Sequence, residues 1–270
     1  MDTFQLIGFA GALILGWVMG TTGSGGSALA VPMFNYLFHM DMHASSAHGL
    51  FVVGFTALAG AVLNLGKQGI DWGLSLIFSV PMIFTVYLVR RFLVPMVPKV
   101  IFQWGPHGPV LDRDMVFMLL FGLLLAISAL TTIRDRRSLA NIRQEPGHGR
   151  LPIALLGIGI GVLTGITGMG GGFLIVPVLL IFLKLPFKKA IATSLMIVAL
   201  KSLGGFLGDL GQIDIDWILL SSFTGLSLIG MCIGFHCTHR LTDKTLKGSF
   251  GYFALGISFL VIFKELSVWV

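Results

Sequence analysis

Hydrophobic residues dominate this chain in long runs, and polar residues are concentrated between those runs. Eight apolar segments follow one another, at residues 4–38, 44–65, 73–94, 115–133, 151–183, 190–210, 217–237 and 248–263. Six of them are close to the length of about 20 residues with which a helix crosses the hydrocarbon core of a bilayer. The first and the fifth are longer, and a straight helix of that length would overshoot the bilayer. We therefore predict that these two segments are broken.

A glycine-rich stretch interrupts each of the two long segments. The first reads GTTGSGGSALAVP (residues 20–32) and the second reads GITGMGGGFLIVP (residues 165–177). A shift of 145 residues superimposes them, and the register holds without a gap as far as an IDW triplet, with 19 of 57 positions identical between 16–72 and 161–217. Unrelated apolar segments would rarely keep such a register, so we interpret the chain as an internal duplication.

The duplication divides the chain into two halves of similar size. Residues 1–133 form the first repeat, the polar stretch 134–150 is a linker, and 151–270 form the second repeat. The first repeat carries an insertion, residues 93–110, that has no counterpart. We expect an all-α polytopic membrane protein in which each half has one glycine-broken segment, re-entrant or discontinuous, and three transmembrane helices. The two IDW triplets predict helix starts, with the aspartate as the N-cap.

The halves can be parallel or inverted, and the charge distribution favours inversion. If each broken segment is a re-entrant hairpin, each half has an odd number of crossings and the halves are inverted. Lys and Arg accumulate in cytoplasmic loops. Of the 18 Lys and Arg, we place only Lys201 within a span; the hairpin arrangement puts 12 of the others inside and 5 outside, against 10 and 7 for crossing segments. We therefore predict inverted repeats with both termini outside.

The composition excludes a soluble protein. Hydrophobic residues make up 55% of the chain and charged residues 11%, whereas about a quarter of the residues of soluble domains are charged. We predict a multi-pass protein of the plasma (bacterial inner) membrane, and we attribute the net charge of +6 to cytoplasmic loops rather than to a nucleic-acid partner. The two cysteines lie in one apolar run and indicate neither a disulfide framework nor a metal site. No cofactor is expected.

The glycine breaks are candidate binding positions, because unwound backbone at membrane depth is tolerated where it lines a cavity. The half-helix after each break would point its N-terminal N–H groups into that cavity, and two such ends would form an anion site. The candidate substrate-binding residues in the breaks are Thr22, Gly23, Ser24, Gly25, Gly26, Ser27, Thr167, Gly168, Gly170, Gly171 and Gly172. Close helix packing is the more typical role of four earlier glycines, Gly16, Gly20, Gly161 and Gly165.

Polar groups inside the spans are the other candidate substrate-binding residues. Lys201 would supply positive charge to an anion; the alternative is a lysine that reaches the interface or pairs with Asp209. Ser194 lies seven residues before Lys201, on the same helix face. Thr193 is the counterpart of His48 under the 145-residue shift. His48 would bind the anion or relay a proton, or it is a buried histidine held by hydrogen bonds.

The paired breaks resemble the TauE/SafE family of sulfite exporters, also called TSUP. The family pattern GxxGxGGxxxxxP occurs here in both stretches, and the TSL triplet at 193–195 is also similar. The resemblance covers nearly the whole chain. It departs at Ser27, which replaces a third glycine, at AHGL (residues 47–50) in place of ATSL, and at the insertion. It implies transport of small sulfur-containing anions.

We therefore predict a secondary transporter, more narrowly an exporter, of a small anion such as sulfite, a sulfonate or thiosulfate. A proton or a cation is the candidate coupling ion, and a passive anion channel is the alternative function. An enzyme is not expected, because the spans carry no clustered metal ligands and no nucleophile–base pair at usable spacing. ATP hydrolysis is not expected, because the second break lacks the GK[ST] of a phosphate-binding loop.

Overall fold

In the residues that the structure describes, the chain forms a bundle of helices and a small antiparallel pair of β-strands. The computed structural model describes residues 3–23, 25–65, 69–103, 110–134, 150–168, 170–238 and 243–269. The helices are α1 (Thr3–Thr22), α2 (Ser27–Leu37), α3 (Met42–Asn64), α4 (Trp72–Leu88), α5 (Val94–Met96), α6 (Arg113–Arg134), α7 (Arg150–Thr167), α8 (Gly172–Ile181), α9 (Phe187–Asp209), α10 (Trp217–Thr238) and α11 (Asp243–Trp269). A π-helical turn, Val89–Leu93, joins α4 to α5, and β1 (Val100–Gln103) pairs antiparallel with β2 (Val110–Asp112).

Six helices in the described residues are long and apolar enough to cross a membrane, which confirms the all-α polytopic fold. They are Met42–Asn64, Trp72–Met96, Arg113–Arg134, Phe187–Asp209, Trp217–Thr238 and Gly248–Ser267. Large apolar side chains such as Val80, Phe84 and Phe259 are exposed on the outside of this bundle. Such a surface suits contact with lipid rather than with water.

Both long segments break at the predicted glycines. The gap between α1 and α2 contains Gly23 with φ +88°, and the gap between α7 and α8 contains Gly168 and Gly171, each with φ +65°. Residues with a Cβ rarely adopt this left-handed region, so glycine is what allows the chain to turn there.

Aspartate side chains fix where two of the membrane helices begin. Asp71 accepts a hydrogen bond from the backbone N–H of Leu74 at 3.1 Å, at the start of α4. Asp216 accepts one from the backbone N–H of Leu219 at 3.0 Å, at the start of α10. Both are N-cap hydrogen bonds, and both aspartates belong to IDW triplets. The predicted helix starts are therefore confirmed.

The helices of the two halves follow the spacing of the sequence repeat. Helices α2, α3 and α4 begin at residues 27, 42 and 72, and α8, α9 and α10 begin 145 residues later, at 172, 187 and 217. Their contacts correspond as well: α1 packs on α10 as α7 packs on α4, and α3 packs on its counterpart α9. The duplication itself stays a prediction, and these positions and contacts agree with it.

Helices α3 and α9 run antiparallel. Leu50, in the first half of α3, contacts Gly205 near the end of α9, and Gly60 contacts Leu195 near the start of α9. Two equivalent helices that pack antiparallel are what inverted repeats would produce. The inverted relation of the halves remains a prediction, with which this packing agrees.

Helices α1 and α2 form a hairpin. The rings of Phe9 and Phe38, near the two open ends of this hairpin, have centroids 6.0 Å apart. Gly26, at the closed end, packs against Met19 of α1. The chain thus turns back on itself at the first break rather than crossing straight through.

The second broken segment turns back in the same way. Helix α7 runs parallel to α4, since Gly157 packs on Phe78 and Gly165 packs on Val89. Helix α4 in turn runs parallel to α9, because Gly204 lies against Ile83, five residues before the end of α4. Helices α7 and α9 therefore run in the same direction, and α8, which connects them, runs in the opposite direction. These directions are those of the re-entrant hairpin arrangement.

The described chain begins and ends on the same side of the bundle. The start of α1 lies against the end of α2 through Phe9, and the Tyr36 hydroxyl near the end of α2 donates a hydrogen bond to Glu265 of α11 at 2.7 Å. The β1–β2 insertion lies on that side too, since the Met42 N–H donates to Asp114 at 3.2 Å. We call this side the β-hairpin end. That it faces outside remains a prediction.

Glycines allow α1 and α10 to approach closely. A Cβ added at Gly16 would strike the Ser227 carbonyl, and one added at Gly230 would strike the Leu13 carbonyl. Gly20 packs on the backbone of α10, and Gly161 and Gly165 pack on α4. The packing role predicted for the four earlier glycines is confirmed.

Gly230→Ala is expected to lower thermal stability in detergent, because the added methyl group meets the Leu13 carbonyl. Overpacking a close contact typically costs about 1–3 kcal/mol. Gly225→Ala on the same helix is the matched control, since nothing lies within 4 Å of a Cβ at that position. Equal melting temperatures for the two variants in thermal unfolding would contradict the α1–α10 contact.

Candidate functional site

The two glycine breaks meet inside the bundle. A Cβ added at Gly170 would lie 2.7 Å from the Cβ of Ser27, the first residue of α2, and 2.5 Å from a methyl group of Val53 on α3. Helix α8 begins two residues after Gly170. The N-terminal ends of α2 and α8, which carry partial positive charge, are therefore neighbours.

Lys201 faces the second break. Its side chain comes from α9 and is completely buried. A Cβ added at Gly171 would lie 3.2 Å from its Nζ and 3.1 Å from the Cβ of Thr164 on α7. The Thr164 hydroxyl is buried and has no hydrogen-bond partner in the described structure. The predicted approach of Lys201 to a glycine break is thus present in the fold.

Arg90 is a second buried cation at this break, and the sequence analysis missed it. Only 1% of the side chain is exposed. Its Nε donates to Asp209 Oδ2 at 2.6 Å, and its Nη2 donates to Ser46 Oγ at 2.8 Å. A Cβ added at Gly168 would strike Ser46 and come within 2.5 Å of Arg90 Nη1. The second break is therefore in direct contact with a guanidinium group.

The expectation that Lys201 is the sole cation within a span was wrong, because Arg90 lies in the membrane helix Trp72–Met96. The charge count placed Arg90 outside the membrane together with Arg91. Arg91 is exposed, whereas the π-helical turn places Arg90 inward. The position of Arg90 within the apolar segment 73–94 was the signal that could have identified it.

A charged crevice connects this region with the β-hairpin end. His43 Nε2 lies 3.2 Å from Asp209 Oδ1, and its side chain is 15% exposed. A narrow crevice of about 10 Å³, room for about one water molecule, reaches His43, Ser46 and Arg90. An adjoining, wider crevice of about 330 Å³ is lined by residues of β1 and β2. The two crevices share Arg113 and Asp114.

The buried charges near the second break sum to a positive value. Among the described residues, the buried charged side chains other than histidine are Arg90, Lys201 and Asp209, two cations and one carboxylate. Lys201 lies close enough to Arg90 for their charges to interact. Burying such charges is costly unless each has a partner of opposite sign. In the described residues, no group of three His, Cys, Asp or Glu side chains could hold a metal ion.

The first break is less polar than the second. Gly23 packs on Ile191, and Gly25 lies against Phe250. The 145-residue shift pairs Ile191 with Ser46 and Phe235 with Arg90. The polar groups at the second break are therefore replaced by apolar ones at the first. Ser24 lies outside the described residues.

The threonine hydroxyls at the two breaks bond to their own helices. Thr22 Oγ1 donates to the Val18 carbonyl at 2.7 Å, and Thr167 Oγ1 donates to the Leu163 carbonyl at 3.0 Å. The hydroxyl protons that the sequence analysis assigned to an anion are thus used within α1 and α7. Gly26 packs against Met19, and Gly172 begins α8.

Three further predicted residues lie apart from Lys201. Ser194 Oγ donates to the Ile191 carbonyl at 2.8 Å. His48 Nδ1 bonds the Ala44 carbonyl at 2.8 Å, and its buried Nε2 has no partner in the described structure. Thr193 lies eight residues before Lys201, about 12 Å along a helix.

Thr193 has a structural contact at the opposite end of the bundle. Its hydroxyl accepts a hydrogen bond from the Asp71 N–H at 3.2 Å, where α4 begins. Lys189 Nζ lies 3.0 Å from Asp71 Oδ2. Partial burial opposes the Asp71 charge, but hydrogen bonds from the Leu74 N–H and Lys189 hold the pKa of this carboxyl below its usual value. This cluster joins the starts of α4 and α9.

Six membrane helices around two opposed glycine breaks, with buried cations beside one of them, define a polytopic membrane protein with an internal polar site. The chain belongs to the TauE/SafE family: the family model described as "Sulfite exporter TauE/SafE" matches residues 9–261.

Two proteins with similar sequences are named as membrane transporters. A "Probable membrane transporter protein" of Xylella fastidiosa (strain 9a5c) is 27% identical over 93% of this chain and 92% of its own length. The Bacillus subtilis protein named "Probable membrane transporter protein YdhB" is 23% identical over 87% of this chain and 91% of its own length. No solved structure gave a significant match. The chain is thus a membrane transporter of this family.

The Arg90–Asp209 pair predicts a large coupling in a double-mutant cycle. Arg90→Met leaves a buried carboxylate without its cation, and Asp209→Asn leaves a buried guanidinium without its anion. Removing one partner of a buried pair typically costs about 3–5 kcal/mol. The double variant is expected to lose much less stability than the two single variants lose together. Thermal unfolding in detergent measures these losses.

Arg91→Met is the matched control for this cycle, because Arg91 is the exposed neighbour of Arg90. It is expected to melt close to the unsubstituted protein. Single variants that melt like this control, or effects that simply add, would contradict the buried ion pair.

Proposed function

We propose that this transporter is a secondary exporter of a small oxyanion, with sulfite, sulfonates and thiosulfate as its substrate class. The observation that carries the proposal is the placement of Arg90 and Lys201 beside the second glycine break, with Asp209 as the buried carboxylate. Two buried basic side chains beside one break favour an anion as the ligand. The family name supports the sulfur chemistry.

The chemistry of the site suits a small tetrahedral or pyramidal oxyanion. A guanidinium presents several N–H donors in one plane and binds two oxygens of an oxyanion at once. Lys201 adds a point charge, and the Thr164 hydroxyl adds a buried donor without a partner in the described structure. Glycine at positions 168 and 171 lets the backbone come into contact with these groups, since a Cβ at Gly168 would collide with Ser46 and Arg90 and one at Gly171 would collide with Thr164.

Alternating access explains the arrangement of polar residues about the site. The charged crevice approaches Arg90 from the β-hairpin end, whereas Ile191 packs closely on Gly23 at the first break. If Lys and Arg accumulate on the cytoplasmic side, the β-hairpin end faces outside, and the crevice is the exit for an exported anion. Rocking of one inverted half against the other would then open the opposite side. We place the protein in the plasma membrane as a multi-pass protein.

Anion flux into proteoliposomes tests this proposal. Lys201→Met and the double variant Arg90→Met/Asp209→Asn are expected to lose flux of sulfite, thiosulfate or methanesulfonate roughly 10-fold to 100-fold. The reason is that a hydrogen bond to a charged group contributes about 1.5–3 kcal/mol, and each 1.4 kcal/mol is about tenfold in affinity. The double variant is used because it leaves no unpaired buried carboxylate.

Arg91→Met serves as the control and is expected to retain full flux. Unchanged flux in both site variants would overturn the proposed site. Single-channel currents from the reconstituted protein would instead identify a passive anion channel, because a secondary transporter moves too few ions per second to give them.

A further inference from the structure

We infer that His43 and Asp209 form a proton-binding site, and that one proton moves with each transported anion. This inference rests on the proposed function, because it assigns the coupling ion to the same site. It concerns His43 rather than His48, the histidine that the sequence analysis selected.

Asp209 and a transported anion would compete for the same guanidinium. The Asp209 carboxylate is completely buried and holds Arg90 through Oδ2, with Nε at 2.6 Å. An oxyanion that binds Arg90 beside Gly168 takes over donors that now bond the carboxylate. A buried carboxylate that loses its cation is strongly destabilised while it stays ionised, and a proton neutralises it.

His43 gives that proton a route. Its Nε2 contacts the second carboxylate oxygen, Oδ1, at 3.2 Å, while its side chain lines the crevice and is partly exposed. Asp209 itself is completely buried. Asp209 therefore lies behind His43 and Arg90, which both line the crevice, and it bonds each of them through a different carboxylate oxygen.

The coupled step balances in protons and charge. When an exported anion reaches Arg90 from the side opposite the crevice, a proton that enters with it neutralises the Asp209 carboxylate. One anion and one proton have then entered the site. When the anion leaves through the crevice, Asp209 passes its proton from Oδ1 to His43 Nε2, His43 releases a proton to the crevice, and Asp209 pairs with Arg90 again.

Two further elements bring charged groups toward this cluster. On α6, Arg113 pairs with Asp114 at 3.3 Å, and Asp114 also accepts the Met42 N–H. On α9, Lys201 lies close enough to Arg90 for their charges to interact. The crevice lining contributed by α7, Ile166, is apolar. Within the described residues, Asp209 is the carboxylate that bonds Arg90.

The repeat explains why a single proton is expected. The 145-residue shift pairs Asp209 with Asn64, a residue that does not titrate. Asn64 donates its amide hydrogen to the Gly60 carbonyl at 2.7 Å. The same shift pairs His43 with Lys188. The equivalent positions, Lys188 and Asn64, therefore do not form a second histidine–carboxylate pair.

Calorimetry in two buffers of different ionisation enthalpy measures the protons taken up per anion bound. The probes are thiosulfate and methanesulfonate, which stay ionised throughout the range in which histidine titrates. We expect the purified protein to take up close to one proton per anion. Its affinity is then expected to rise about tenfold for each unit fall in pH above the range in which the site titrates.

Asp209→Asn is expected to bind the anion with no proton uptake and with an affinity independent of pH. Asp214→Asn is the matched control, because Asp214 is an exposed carboxylate five residues further along the chain, and it should keep full uptake. His43→Gln is the second variant and is expected to lower the uptake if Asp209→Asn does not fold. If the His43–Asp209 pair only stabilised the fold, the substitutions would leave the number of protons taken up per anion unchanged.

The outcomes separate this inference from the proposed function. Anion binding by the unsubstituted protein without proton uptake would overturn the proton site and leave the transporter proposal standing. Full proton uptake in Asp209→Asn would overturn the assignment to Asp209. Failure of the unsubstituted protein to bind any of the anions would overturn both.

Discussion

The architecture of the polar site depends on one buried ion pair, between Arg90 and Asp209. It joins the π-helical turn that follows α4 to the end of α9, and it fixes the guanidinium against Gly168. Because charges in an apolar interior are costly without partners, the pair specifies how these helices end. It also keeps a cation at a depth where an anion could meet it.

The second constraint is the backbone conformation at the breaks, which requires glycine. The α7–α8 break needs a left-handed turn at Gly168 and Gly171, and both turns bring backbone within contact of buried side chains. The α1–α2 break has a left-handed turn at Gly23, whereas Gly26, the counterpart of Gly171, is right-handed with φ −61°. Gly23 and Gly25 meet Ile191 and Phe250. The two breaks therefore differ in backbone conformation and in the side chains that face them.

Much of the fold could be predicted from the sequence because its signals are local. Segment lengths predicted the spans, the glycines predicted both breaks, and Asp71 and Asp216 marked helix starts. The site was predicted only in part. Lys201 was found since a lysine inside an apolar run is conspicuous.

The remaining site residues depended on long-range packing that no local pattern encodes. Arg90 was counted with its exposed neighbour Arg91, although a π-helical turn directs it inward. Thr193 was a substrate-binding candidate, but it lies eight residues from Lys201 on α9 and bonds Asp71 at the opposite end of the bundle.

The most direct test of the account is the position of a bound oxyanion. Selenate carries an anomalous scatterer, so diffraction from crystals soaked in it locates the anion without prior assumptions about the site. The account predicts an anomalous peak in contact with Arg90 and Lys201 at the second break. A peak confined to the first break, or beside His48 or Thr193, would contradict it.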